Sequence, residues 1–261
     1  MSAATNLHAS DLLTSPLLTR AGFRHAFFTR RGGVSKNEFA SLNFSVAVGD
    51  DAANVDENLW RAAQALGVGR GRVYFASQVH GVDATCAEPS IAFEDFVCRE
   101  ADVVFGHSPE VACGVRTADC VPILLAAERS GHVAAVHAGW RGVVRGAVQA
   151  GLAALGRASG DVSDVIAAIG PHISLSAFEV SEDVAAELVA ASPDPDVVER
   201  SRARPHVDLR RIVHAQLETR GISRTRIDDV WGCTYSEPDR FFSFRRDGKR
   251  SGRHLSAIVA R

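Results

Sequence analysis

Between Asp51 and Leu66 the apolar positions Val55, Leu59, Ala62, Ala63 and Leu66 recur at intervals of three and four, and Gly67 follows them. That spacing predicts an amphipathic helix with a glycine stop. Most other apolar residues fall in short runs rich in β-branched side chains, at 24–29, 73–79, 101–105, 111–116, 121–126, 132–136 and 165–169, and each run reads as a strand. A small-residue helix is expected over 143–155. A second is expected over 181–189, with Ser181 as its cap and Glu182 and Asp183 in its first turn, and a third over 208–220 before Gly221. Late strands are expected at Val230, 241–244 and 255–259. Several strands follow one another directly, without a steady strand–helix alternation, which points to α+β with mixed sheets.

The two prolines within 191–195 mark the best internal linker, yet both flanks read as parts of one core. The expectation is a short N-terminal extension, 1–22, and a single catalytic domain, 23–261. The glycine fingerprint of dinucleotide-binding folds is missing, and neither Lys36 nor Lys249 follows a phosphate-binding glycine frame.

Composition narrows the class further. Of 261 residues, 46% are hydrophobic and 23% charged, so the chain can bury a core without a metal or disulfide staple. A net charge of −2 gives no overall attraction to nucleic acid or anionic lipid. No run approaches the roughly 20 apolar residues of a membrane span, and the N-terminus has no signal-peptide centre, so the expected compartment is the cytoplasm. The five cysteines form no C-x-x-C pair, which disfavours a disulfide framework and a zinc ribbon.

Three residues share a pattern. His80 precedes Gly81 at the end of a predicted strand, Cys120 stands just before another, and His137 closes a third before Ala138-Gly139. If they converge, two imidazoles and a thiolate form a three-ligand zinc site with an open position, the arrangement of catalytic zinc. Their separations of 40 and 17 residues match no short metal motif, so the spacing leaves open that the histidines are ordinary half-buried side chains and Cys120 a small core residue.

The stretches TRRGGVS (29–35), SLNF (41–44), QVHG (78–81), TADCVPILL (117–125), VHAGWRG (136–142) and CTYSEPDRFFSFRR (233–246) closely resemble the YfiH-type family, known as polyphenol oxidoreductase or laccase domain proteins and associated with purine nucleoside phosphorylase activity. The resemblance runs from about residue 23 to the C-terminus. It implies a compact domain of mixed β-sheets sandwiched between helices, with His80, Cys120 and His137 as zinc ligands. It implies phosphorolysis of adenosine, inosine, guanosine or methylthioadenosine, and adenosine deamination besides. Leu59 stands where the family usually carries arginine, while Arg61 is retained.

Phosphorolysis needs an anion site, for which Arg30 in its glycine-rich loop and Arg141 beside His137 are candidates. Asn43 and Gln78 are candidates for sugar or base contacts, and Asp119 for orienting a ligand or moving a proton. Copper is disfavoured: the one methionine is Met1, and no two of the ten histidines stand as His-x-His. The expected partners are a nucleoside and phosphate, with no membrane; the sequence is silent on oligomeric state. Three alternatives stay open. One is a Cys120–His137 amide hydrolase acting in peptidoglycan precursor editing, a role also associated with the family. Another is a copper polyphenol oxidase. The third is a nucleic-acid-binding module built on the Arg- and Phe-rich segment 240–254, where the same alternation equally suits a strand with one buried face.

Overall fold

The computed structural model describes residues 7–159 and 164–261. Its long apolar runs become strands buried on both faces. β7 (Val121–Ala127), β8 (Val133–Ala138), β9 (Val165–Ile169) and β13 (His254–Val259) expose no residue along their length. A strand covered on both sides reads as a continuous apolar run rather than an alternation, which is why these elements are legible in sequence.

Two sheets hold them. The first runs β1 (Leu12–Leu13), β2 (His25–Phe28), β13, β6 (Ala112–Thr117), β3 (Val73–Tyr74). The second runs β12 (Ile227–Asp229), β9, β7, β8, β5 (Val103–Gly106), β4 (Ala84–Cys86). Most pairings are antiparallel; β3 with β6, β4 with β5, and β9 with β12 are parallel. The ribbon β10 (Val198–Glu199) and β11 (His206–Val207) stands apart from both sheets.

Alternate side chains of each strand serve different layers. Phe27, Tyr74, Val115 and Ile258 of the first sheet meet Val104, Leu124, Ala135 and Ala168 of the second between the sheets. Ile123, Leu125, Val136 and Ala167 point the other way, under α5 (Ala147–Ser159) and α7 (Leu209–Thr219). On the outer face of the first sheet, Phe28, Leu255 and Ala257 pack on Ala62, Ala63 and Leu66 of α2 (Ala52–Leu66), with Phe93 and Val97 of the short α3 (Phe93–Val97) against the same cluster. The result is helix, sheet, sheet, helix, the mixed α/β sandwich expected. Each fully buried Ile, Leu or Phe contributes roughly 1.5–3 kcal/mol from burial.

α2 has the expected bounds: Asp51 caps it by accepting from the Ala53 amide, and Gly67 ends it at φ +66°. Residues 12–20 pack onto the sandwich as well. β1 pairs with β2, Leu18 of α1 (Pro16–Arg20) is fully buried, and Ser15 donates to Asp228 at 2.6 Å. The segment 191–195 joins α6 (Glu182–Ala190) to β10, and Leu188 and Val197 on its two sides sit in one core.

Three expectations need correction. The helix foreseen over 143–155 is two helices, α4 (Trp140–Arg145) and α5, because Gly146 turns the chain at φ +94° between them. The strand foreseen over 73–79 stops at Tyr74, because Ser77 turns to pair with the backbone of Arg99 and Ala101, and Gln78 reaches β6 with its side chain instead of its backbone. His80 therefore sits in a loop and not at a strand end. The strand foreseen over 241–244 is absent: Phe241 and Phe242 are buried, but Ser243 caps α8 (Phe244–Asp247), leaving Phe244 half exposed. Among the described residues no helix is long and apolar enough to cross a membrane.

Candidate metal centre

Strand register brings the three residues together. In the β7–β8 hairpin Pro122 pairs with His137 and Val121 with Ala138, so Cys120, just before β7, lies beside Gly139. β5 pairs with β8 so that Val103 faces Val136, which places Asp102 next to His137. The third residue arrives through Asp102. Its buried carboxylate accepts the backbone amides of Val79 at 3.1 Å, His80 at 3.0 Å and Gly81 at 2.7 Å, fixing the loop that carries His80. One ligand atom from each of His80, Cys120 and His137 lies within 4.8 Å of the others. Cys120 Sγ is 3.8 Å from His80 Nε2.

Asp102 also lies 2.6 Å from His137 Nδ1. That bond takes up one ring nitrogen and leaves Nε2 for the centre, as carboxylate partners of metal-bound histidines do. Burial raises the Asp102 carboxyl, but the bond to His137 and the amide of Gly81 outweigh it and hold the group below the usual carboxylate range. Burial likewise raises the Cys120 thiol, yet the charge of His137 and hydrogen bonds from both histidines bring it down to about 6. His137 moves the opposite way, to about 9: burial lowers it, and the Cys120 thiolate and Asp102 raise it by more. A thiolate beside a protonated imidazole is a pair whose shared proton a metal ion can displace.

The backbone is shaped to the same end. His80 and Asp119 both hold positive φ, +58° and +89°, a region that costs a side-chain-bearing residue energy and persists only where hydrogen bonds enforce it. For His80 these are the bonds to Asp102. At Gly139 a Cβ would lie 2.7 Å from His80 Cδ2 and 2.9 Å from Cys120 Sγ, so only glycine leaves room for the cluster.

The remaining candidates take varied places. Asp119, next to Cys120, has both carboxylate oxygens engaged, one by Thr234 Oγ1 at 2.6 Å and the other by the Arg245 amide at 2.6 Å. Gln78 pairs at both ends with the backbone of Arg116, at 2.7 and 2.8 Å. Asn43 is fully buried and joins Ser45, Asp50 and the Arg253 amide. Arg30 donates to the carbonyls of Ala40 and Pro238, at 2.8 and 2.9 Å, and lies over the Phe242 ring. Arg141 is exposed, with its guanidinium 4.3 Å from the Trp140 ring centre. Asp102 escaped the sequence reading. Its one signal is an acid at the head of the apolar run Val103–Gly106, a position whose meaning depends on which strand lies alongside.

The profile of the family described as multi-copper polyphenol oxidoreductase laccase matches residues 24–261. A protein of Streptomyces coelicolor named purine nucleoside phosphorylase SCO2081 is 38% identical over 87% of this chain and 91% of its own. One of Pseudomonas aeruginosa, purine nucleoside phosphorylase PA4543, is 36% identical over 91% of this chain and 93% of its own. Among solved structures, YlmD from Geobacillus stearothermophilus is similar with a TM-score of 0.87 and 30% identity, covering 98% of both chains.

Proposed function

Because the chain belongs to this laccase-domain family, we propose that it acts as its relatives named purine nucleoside phosphorylase are named to do, with zinc held by His80, Cys120 and His137, in the cytoplasm. What carries the reading is the convergence of one thiol and two imidazoles within 4.8 Å, with a buried carboxylate orienting one imidazole. A sulfur with two imidazole nitrogens suits zinc and leaves a position for substrate or solvent. Bound there, zinc supplies Lewis-acid polarisation of a substrate atom. Copper clusters of oxidases draw on several ligand groups. Among the described residues, His80, Cys120 and His137 form the one group of three or more His, Cys, Asp or Glu side chains close enough to share an ion.

The chain's own residues have distinct tasks in this reading. Asp102 fixes the His137 ring and the His80 loop. Asp119 ties Cys120 to the Thr234 and Arg245 segments. Gln78 and Asn43 set the loops bordering the centre, and Arg141 stands exposed three residues beyond Ala138 to meet substrate. In phosphorolysis a phosphate oxygen bonds to C1′ as the C1′–N9 bond breaks. The electron pair leaves with the purine, which takes up the proton given by phosphate.

Adenosine, inosine, guanosine and methylthioadenosine, each assayed with and without phosphate on metal-quantified protein, test the proposal. The expected result is release of base and ribose 1-phosphate only with phosphate, about one zinc per chain, and a loss of at least about a hundredfold in His80→Ala, as for removal of a metal that polarises substrate. Hypoxanthine release from inosine by His80→Ala at the wild-type rate sinks the reading. Ammonia from adenosine without phosphate would instead reveal deamination.

One observation favours a second reading. Asp102, His137 and Cys120 stand in the order carboxylate, imidazole, thiol of a cysteine hydrolase triad. An amide hydrolase of this kind works without metal. Activity on a peptidoglycan precursor that survives chelation but not thiol alkylation identifies it.

A further inference from the structure

The glycine-rich loop's Arg30 and the exposed Arg141 are poor cradles for phosphate: one is committed to carbonyls and the other is stacked on an indole in solvent. The cavity of about 840 Å³ around Arg210, Arg211, Arg224 and Trp231 is no better, since Asp229 pairs with Arg210 and Arg224, and Asp194 with Arg211. Anion binding calls for guanidinium groups that are part buried and not paired with an acid.

Arg116 and Arg253 meet that description. Arg116 lies in β6 opposite Leu255 of β13, and Arg253 stands two residues before Leu255, in the segment that leads into β13. Both are part buried. Arg116 gives Nη1 to the Phe44 carbonyl at 3.4 Å and covers the Phe75 ring. Arg253 gives Nη1 to the carbonyls of Ser251 and Gly252, at 2.5 and 3.0 Å, and lies 5.7 Å from the centre of the half-exposed Phe244 ring. Among the described residues neither has a carboxylate within ion-pair distance, and the Nε and Nη2 atoms of both meet no acceptor. Those two atoms form the edge with which a guanidinium grips an oxyanion in fork geometry.

The pair also stands near the candidate metal centre: Gln78, two residues before His80, holds the backbone of Arg116, itself four residues before Cys120. Arg253 is within electrostatic reach of Cys120 and Asp119, and of Arg116. Burial, and then the like charge of Arg253, lowers Arg116 to about 10. Asp119 spends both its oxygens on Thr234 and the Arg245 amide, so neither of the two neighbouring cations has a carboxylate bonded to it, and an anion that bridges them is stabilised by both.

We propose that Arg116 and Arg253 form the phosphate site of the centre, their free Nε–Nη2 edges taking the oxygens of inorganic phosphate, with Phe244 flanking it as an apolar platform for the nucleoside. This rests on the phosphorolysis reading for its use, though not for its existence: binding of phosphate is measurable on its own.

The test compares wild type, Arg116→Gln, Arg253→Gln and Arg253→Lys. Inorganic phosphate is titrated calorimetrically into metal-quantified protein, and phosphorolysis is followed against phosphate at fixed inosine and against inosine at fixed phosphate. Each glutamine variant is expected to weaken phosphate at least about tenfold in both Kd and KM, with the inosine KM and metal content within about twofold of wild type. Lysine restores part of the loss, since it returns charge without the fork; that rescue also identifies a variant that has merely misfolded. Phosphate binding at wild-type strength in both glutamine variants, or none in wild type, overturns the site. Arginine-dependent phosphate binding with no nucleoside cleaved leaves the site standing and fells the phosphorylase reading. Phosphorolysis with an unchanged phosphate KM in both variants does the reverse.

Discussion

Asp102 shows how much one side chain can organise. It holds three consecutive amides of the His80 loop and the Nδ1 of His137, and its own carbonyl accepts the His137 amide at 2.8 Å. In Asp102→Asn the amide keeps one acceptor oxygen, so the loop is held less firmly and His137 loses the carboxylate that raises its ring. Affinity for the zinc proposed there should fall about 10- to 100-fold, the usual cost of losing such a partner. Chelator competition measures it, and a thermal midpoint near wild type in excess zinc separates positioning from folding. Unchanged zinc affinity would remove Asp102 from the centre. His80, Cys120 and His137 were legible by their motifs, but Asp102 was not: a single acid before Val103–Gly106 gains a role only through the strand that pairs beside it.

Side chains also stand in for backbone in building elements. Gln78 bonds to both the amide and the carbonyl of Arg116, continuing along the edge of β6 where β3 has ended. A strand read from apolar pattern over 73–79 could not anticipate that substitution. Nor could the alternation Phe241, Phe242, Phe244 distinguish a strand from a buried turn leading into a capped helix. Asn58, fully buried on α2, does similar work between loops. Its Oδ1 accepts the Val34 amide at 2.9 Å, and Nδ2 reaches Ser35 Oγ and the carbonyls of Ser41 and Asn43. Asn58→Leu keeps the volume but strands these groups in the interior, and should cost at least about 2 kcal/mol in urea unfolding. A loss under about half that would mean the loops are held by other contacts. Leu59 beside it packs against the α2 core, while Arg61 donates to Glu57 and the Gly32 carbonyl, so this face of α2 braces the glycine-rich loop.

Across the whole molecule the four layers bury titratable groups that answer to pH. His172 and His254 are held at about 3, above all by burial, with Arg210 near the first and Arg30 near the second acting the same way. In the unfolded chain each titrates near 6.5. Since the folded value is the lower, the unfolded chain binds more protons between the two. This stability is fully present above about pH 6.5 and is lost as pH falls toward 3, by up to about 1.4 kcal/mol per pH unit for each histidine. Urea unfolding of metal-free protein at several pH values between about 4 and 7 checks the slope. His254→Gln retains an acceptor for the Phe242 amide, whose bond to His254 Nε2 is 2.8 Å, and should flatten it; an equal slope would show that His254 is not its source. The buried strands, the capped and glycine-stopped helix and the three ligand candidates are legible in the sequence alone, because burial on two faces, capping chemistry and local motifs are written in consecutive residues. The folded chain adds what no segment carries: that His80 comes from a loop, that Asp102 links two of the candidate ligands, and that Arg116 and Arg253 stand near each other with no carboxylate paired to either. Each of these depends on strand register between residues far apart in the chain, which local sequence does not encode.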